Sequence, residues 1–346
     1  MAATMRQVWV GGLDAVTVVE SPIPEPGPGQ ARVAVSLAGI CGSDTHALAG
    51  HHPLLIPPYL PGHELVGVVD RIAPDGDQAL VGRRVVVQPN VSCGDCVNCR
   101  AGRTNACQQL QWIGCDSSGT WPGGMADFVI VPVGNLFPLP DEVSDLDAVL
   151  IEPLATPVHA ARIAGDLTGC RVAVLGVGTI GLMSVVAARQ AGAGVVVVSD
   201  LEPLKRERAV RLGADRAVDA AAGDFAAQLV EALGGPADVV FDCVGSEATI
   251  AQAVSVLRRA GTLLVVGVPA RAGVVPLPLV QDWELRIQGC ANYTAADIDT
   301  AMAIVADGGL PSDQIVSARF PVEDAVDAFA AAALGTAGKV VVYPRG

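Results

Sequence analysis

The sequence predicts an α/β fold in which an irregular, β-rich domain of barrel type is interrupted by a parallel sheet of six strands with helices on both faces. Three observations carry this. From about Glu152 to Gly289, short apolar runs alternate with helical patterns, which is how a doubly wound sheet reads. The stretch before it, up to about Ile151, is rich in Gly and Pro and holds only short β-like runs. Where the alternation begins, an apolar run leads straight into a glycine-rich turn and then a helical pattern. At 346 residues the chain is long for one core and suits two domains of roughly 100–200 residues each.

In the first stretch the expected strands are 31–37, 65–72, 84–88 and 128–132. Each is a short run of β-formers bounded by turn residues. In the second stretch the expected strands are 171–175, 195–199, 216–218, 237–241, 262–266 and 285–288, with helical patterns at 202–212, 224–233 and 247–258. After Cys290 come a helix at 295–307, a Pro-bounded run at 315–320, a helix at 322–334 and a final strand at 339–343. That tail is too short to form a domain and is expected to return to the first. The expected domains are 1–152 with 290–346, and 153–289.

The glycine turn reads VAVLGVGTIGL, with Gly176, Gly178 and Gly181 in GxGxxG spacing around Thr179 and Ile180. Gly176 permits the tight turn, Gly178 lets backbone N–H groups approach a pyrophosphate, and Gly181 lets helix and strand pack closely. The helix N-terminus adds partial positive charge toward the phosphates. The next apolar run ends at Ser199 and Asp200, where an acid accepts hydrogen bonds from the adenine-ribose hydroxyls. A carboxylate there repels a 2′-phosphate. The expected cofactor is NAD, not NADP.

Two sets of metal-type ligands accompany the turn. Cys93, Cys96, Cys99 and Cys107 lie close together in CGDCVNCRAGRTNAC, marking a lobe at about 90–110. Cys41 in GICGSDTH, His63 and Glu64 in GHE, and Glu152 in IEPL are scattered and mix sulfur, imidazole and carboxylate. A structural zinc is closed by four ligands, often thiolates, whereas a catalytic zinc keeps a position open. One of each is expected.

Composition narrows the functional class. The chain is 51% hydrophobic but only 4% aromatic. No apolar stretch reaches the ~18 residues of a membrane span, and the start MAATMRQVWV carries no secretory pattern. The net charge is 22 − 36 = −14, which argues against nucleic acid or an anionic membrane as partner. Nine cysteines without an export signal suit reduced thiols and a cytoplasmic setting. A zinc-ribbon nucleic-acid module would explain the four-cysteine run, but it needs a basic face.

In these residues and motifs the chain resembles the zinc-dependent medium-chain dehydrogenase/reductase superfamily, in its polyol (sorbitol-type) and threonine dehydrogenase branch. GICGSDTH, PGHELVGVV, the four-cysteine run, IEPLATPVHA, VAVLGVGTIG, FDCVGS, GTLLVVGV and ELRIQG stand in the order that family has them. The resemblance implies a GroES-like catalytic domain, split in sequence by an inserted Rossmann domain, in a homodimer or homotetramer. It implies reversible oxidation of a small secondary alcohol to a ketone with NAD. Cys41 and His63 would be fixed ligands of the catalytic zinc, with Glu64 and Glu152 as the carboxylates of that site. Ser43 would touch the substrate oxygen, and His46 would take the proton by way of the cofactor ribose. Asp44 would orient the zinc-bound imidazole. Val244, Val266, Gly267 and Val268, in the motifs after the fourth and fifth sheet strands, would line the cofactor.

Departures leave the substrate open. Sorbitol-type enzymes carry tyrosine where Ala47 stands, and Arg-Tyr where Asn292-Tyr293 stands. A polyol, a cyclitol, an amino sugar or a 3-hydroxy amino acid, as in an L-threonine 3-dehydrogenase-like reaction, suits the same chemistry. An inactive NAD- and zinc-binding scaffold is the alternative of another class, and it is opposed by the presence of Cys41, His63 and Ser43. His51 and His52 read as loop residues. Cys115, Cys170, Cys243 and Cys290 read as small buried hydrophobes.

Overall fold

The computed structural model describes residues 3–335 and 338–344. The chain divides into two compact units, Met1–Glu152 with Thr294–Gly346, and Pro153–Tyr293.

The second unit is built on a parallel sheet of six strands. In space they run Arg216–Asp219, Val195–Asp200, Arg171–Leu175, Ala237–Asp242, Leu257–Val265, Arg286–Gly289. The strand that comes first in sequence is therefore central, and the chain winds outward from it first to one side and then to the other. The apolar runs follow from this. Val172 to Leu175 and Val196 to Val198 are buried, because helices cover both faces of a parallel sheet and leave no solvent side to alternate with. The switch in winding direction falls between Arg171–Leu175 and Ala237–Asp242, where such sheets open a ligand crevice at the strand ends. One expected element ends early. The helix read to residue 258 stops at Val256. Leu257 instead pairs with Ala237 in the sheet, and Ala260 turns through φ 57°.

In the first unit, Gln30–Ile40 is the long central strand. Its early half pairs with Phe128–Pro132, its late half with Lys339–Tyr343, and its other edge with Glu64–Ile72. Arg84–Val87 and Leu136–Pro138 extend the sheet beyond Glu64–Ile72, and Val316–Pro321 extends it beyond Lys339–Tyr343. The C-terminal strand thus returns to the first unit. Val33, Val35, Leu65, Val69, Val85, Val129 and Val342 form much of its core.

The sequence reading missed an antiparallel hairpin, Thr4–Gly12 with Ala15–Pro22. Its turn is Leu13-Asp14, with Asp14 at φ 52°. It lacks the Asn-Gly or Gly-Gly pair that normally marks such a turn. Among the described residues no helix is long and apolar enough to cross a membrane.

Candidate active site and metal centres

The four sulfurs of Cys93, Cys96, Cys99 and Cys107 lie within 4.8 Å of one another. None is in a disulfide. Cys107 Sγ is 3.5 Å from Cys93 Sγ, and Cys93 Sγ is 4.0 Å from Cys99 Sγ. A tetrahedron of sulfurs about 2.3 Å from zinc has edges of about 3.8 Å. Backbone N–H groups point at the sulfurs: Cys93 and Gln109 donate to Cys107 Sγ at 3.3 Å, and Cys99 donates to Cys96 Sγ at 3.5 Å. Donation from Gln108 and Cys99 pulls the Cys96 thiol down to about 6. Donation from Cys93 lowers Cys107. Burial raises Cys99, and the Asp95 side chain raises Cys93. Backbone donors favour negative charge on Cys96 and Cys107, and four sulfurs this close together suit a cation that neutralises them.

The second cluster is assembled by strand register. Gln30–Ile40 and Glu64–Ile72 pair with Gly39 opposite Glu64. Cys41, which opens the helix Gly42–Leu48, therefore lies beside His63. Donor atoms of Cys41, His63 and Glu64 lie within 4.8 Å of one another, a span three ligands of one ion can share. Gly39 makes room, since a Cβ there would stand 2.1 Å from Glu64 Oε2. The returning strand pairs Val340 with Ile40. It delivers Lys339 Nζ to 2.6 Å from both Glu64 oxygens and 3.2 Å from the Ile40 carbonyl. Burial favours a neutral lysine, but the Glu64 charge outweighs it and raises the Lys339 pKa. Glu64 thus offers a metal only the lone pairs that the ammonium leaves. Glu152, buried in the first turn of Ile151–Ala164, also acts on Lys339 through its charge.

The remaining predicted residues take distinct places. Ser43 Oγ is shut from solvent and has no hydrogen-bond partner. A hydroxyl left unpaired inside a protein is costly, and a bound substrate oxygen would satisfy it. His46 is exposed in the last turn of Gly42–Leu48, and its carbonyl accepts from His51 and His52. His52 serves its loop, with Nδ1 accepting the Leu54 and Leu55 N–H groups.

The Asp44 carboxylate lies within 4.8 Å of donor atoms of His63 and Cys115, and its charge acts on His63. The residue is fully buried, and its carboxylate accepts from Cys41 N at 3.0 Å and from Tyr59 Oη at 3.2 Å. Burial raises its pKa. The hydrogen-bond partner of His63 Nδ1 is Cys115 Sγ, at 3.2 Å. Cys115 was read from the sequence as a plain buried cysteine, and its actual place was not legible there. Trp112 meets the His63 ring edge-on, with centroids 6.1 Å apart. Lys339 was also missed. The signal was available, since it is a lone charge opening the otherwise apolar strand KVVVY.

In the second unit the glycine turn has the shape a pyrophosphate needs. Gly176 has φ 81°, and a Cβ at Gly181 would meet Gly176 O at 1.9 Å. Gly178 caps Thr179–Gln190 without a side-chain bond, and a Cβ there would project into open space. The first N–H groups of that helix, including those of Thr179 and Ile180, thus face a gap that an anion can fill. Asp200 at the end of Val195–Asp200 accepts from Val177 N at 2.8 Å and Glu202 N at 3.0 Å. A carboxylate has about four acceptor positions, so two remain for ribose hydroxyls. Val244 and Val268 are 45% and 51% exposed, an apolar surface at the strand ends, whereas Val266 is buried at 7%. Gly267 packs its backbone on Val244, where a Cβ would come within 2.6 Å of the Val244 carbonyl carbon.

Comparison with known proteins agrees with this geometry. Residues 27–141 match the family described as alcohol dehydrogenase GroES-like domain, and residues 179–307 match zinc-binding dehydrogenase. The chain is 31% identical over 333 residues to sorbitol dehydrogenase of Bacillus subtilis, covering 94% of this chain and 93% of that protein. It is 32% identical over 332 residues to L-threonine 3-dehydrogenase of Deinococcus deserti, covering 94% and 95%. In structure it is similar to a zinc-binding dehydrogenase from Sinorhizobium meliloti bound to NADP. The TM-score is 0.91 at 33% identity, over 99% of this chain and 100% of that one.

Proposed function

The chain belongs to the zinc-dependent medium-chain dehydrogenase family, in the branch of sorbitol and threonine dehydrogenases, and we propose that within it this enzyme oxidises a small polyhydroxy or cyclic secondary alcohol to its ketone with NAD. The observation that carries the reading is the cluster of Cys41, His63 and Glu64 donors, with the unpaired Ser43 hydroxyl on the same short helix. Cys41 and His63 would be the fixed ligands, with the carboxylate supplied by Glu64, which the cluster contains and Lys339 shares, or by Glu152. A zinc held there would supply Lewis acidity that lowers the pKa of the substrate hydroxyl, and NAD would supply the hydride acceptor. Cys93, Cys96, Cys99 and Cys107 hold a second, structural zinc. The enzyme works in the cytoplasm as a homodimer or homotetramer, and its nine cysteines stay unpaired.

The chain's own part is binding and proton handling. Ser43 Oγ, unpaired in this structure, would accept the alcohol proton as it hands its own on toward the cofactor ribose and His46. His46, exposed on the same helix, passes a proton to solvent. His46→Gln should keep zinc content and NAD affinity. It should lower turnover mainly at low pH, where external base is scarce, by about 10²-fold, the low end for general-base assistance. Added imidazole should restore part of the loss. A pH–rate profile identical to wild type would remove His46 from the mechanism.

The substrate test is reduction of NAD, and separately NADP, over a panel of polyols, cyclitols, amino sugars and 3-hydroxy amino acids. The expected result is turnover with a polyhydroxy or cyclic secondary alcohol and NAD. The preference for NAD should narrow by about 10–100-fold in Asp200→Ala, the worth of hydrogen bonds to a charged group. Turnover confined to threonine would favour the amino-acid reading, which the similarity to threonine dehydrogenases supports. Equal use of NADP by the wild type would show that Asp200 does not select the cofactor.

A further inference from the structure

A histidine that binds a metal through one ring nitrogen gives the N–H of the other to an outer partner, which fixes tautomer and ring orientation. In this chain the Asp44 carboxylate lies within 4.8 Å of a His63 ring nitrogen, and its hydrogen bonds run to Cys41 N and Tyr59 Oη. Cys115 Sγ stands 3.2 Å from His63 Nδ1.

The backbone is arranged to bring it there. Gly114 has φ 77°, and a Cβ on it would lie 2.8 Å from the Gly62 carbonyl carbon and 2.9 Å from His63 N. The segment carrying Cys115 therefore lies backbone to backbone against the segment carrying His63. It can do so only because residue 114 has no side chain. Gly62 is itself at φ 111°, and a Cβ there would meet Met125 N at 2.3 Å. Its carbonyl accepts Gly124 N at 2.7 Å. Gly114 N in turn donates to Trp121 O at 3.0 Å. The His63 ring is bounded by the Trp112 edge contact and by the Cys115 sulfur. With Nδ1 engaged by sulfur, Nε2 is the nitrogen left to face Cys41 and the metal.

We propose that Cys115 is a positioning residue that accepts the Nδ1–H of His63 and holds the ring with Nε2 toward the catalytic zinc. Asp44 secures the Cys41 backbone and Tyr59 and adds its charge beside the ring. The inference rests on the reading of Cys41 and His63 as zinc ligands.

The test is competition for zinc by a chromophoric chelator, run on wild type, Cys115→Ala, Cys115→Val and Cys115→Ser, with melting curves for each. The wild type should release two zincs in two steps. Loss of an outer partner typically costs 10–100-fold in metal affinity. Cys115→Ala and Cys115→Val should therefore lose the catalytic zinc about 10–100-fold more readily, with the four-cysteine step unmoved. Valine fills the thiol's space without accepting a hydrogen bond, so it separates packing from orientation. Cys115→Ser keeps an acceptor, and an N–H···O bond fits the available distance, so it should recover most of the affinity. Equal zinc affinity in wild type and Cys115→Ala overturns the assignment. So does a serine variant as weak as alanine, which would mean that sulfur only fills space. A wild type that releases a single zinc overturns the ligand reading beneath it, a result distinct from either.

Discussion

Cys41→Ala is expected to abolish alcohol oxidation, with a fall in kcat/KM on the order of 10³-fold or more, while the protein still folds and binds NAD. Metal polarisation of a substrate oxygen supplies several kcal/mol, and each 1.36 kcal/mol is about tenfold in rate. Cys41 would be the soft ligand of the site, whereas Glu64 is held by Lys339. The fold should survive because the Asp44 carboxylate binds the residue-41 backbone N–H, not its sulfur. One zinc should remain, in the four-cysteine lobe. Steady-state kinetics, metal analysis and NAD titration on one preparation check all three statements. Residual activity within tenfold of wild type would place the catalytic metal elsewhere.

The second large effect falls on stability. Lys339 and Glu64 are 4% and 1% exposed, and the lysine bonds both carboxylate oxygens. Removing one partner of a buried pair strands the other charge, at a cost of about 3–5 kcal/mol. Lys339→Met should therefore lower the unfolding temperature by roughly 10 °C. Glu64→Gln added to Lys339→Met should return much of it, because no buried charge then lacks a partner. The pH dependence follows from the raised lysine pKa. The pair's contribution is full below the ordinary lysine pKa of about 10.4 and fades as pH rises through the higher folded value. Lys339→Met should accordingly flatten the alkaline end of the stability profile. Calorimetry of the two variants decides this. A single variant as stable as wild type would mean that water reaches the pair.

The fold was legible wherever local chemistry repeats. The runs at Arg171–Leu175, Val195–Asp200 and Ala237–Asp242 are apolar because both faces of a parallel sheet are covered, so short unbroken apolar runs between helical patterns located them. The N-terminal hairpin was not legible, because Leu13-Asp14 makes a left-handed turn without glycine. In the active site the ligand types and their motifs could be read, but their partners could not. Which group holds His63 depends on Gly114 lying against Gly62, a contact between residues 52 positions apart. Lys339 reaches Glu64 only because the last strand returns to pair with Gln30–Ile40. Sequence spacing carries the donors; tertiary register decides what each donor is bonded to.

The central claim is that one chain holds a closed sulfur site and an open mixed-ligand site. The most direct measurement is zinc content of freshly purified, chelator-free wild-type protein, alongside Cys41→Ala and Cys96→Ala. The expected result is two zincs per chain in the wild type and one in each variant, with activity lost in Cys41→Ala and stability lowered in Cys96→Ala. One zinc or none in the wild type would contradict it.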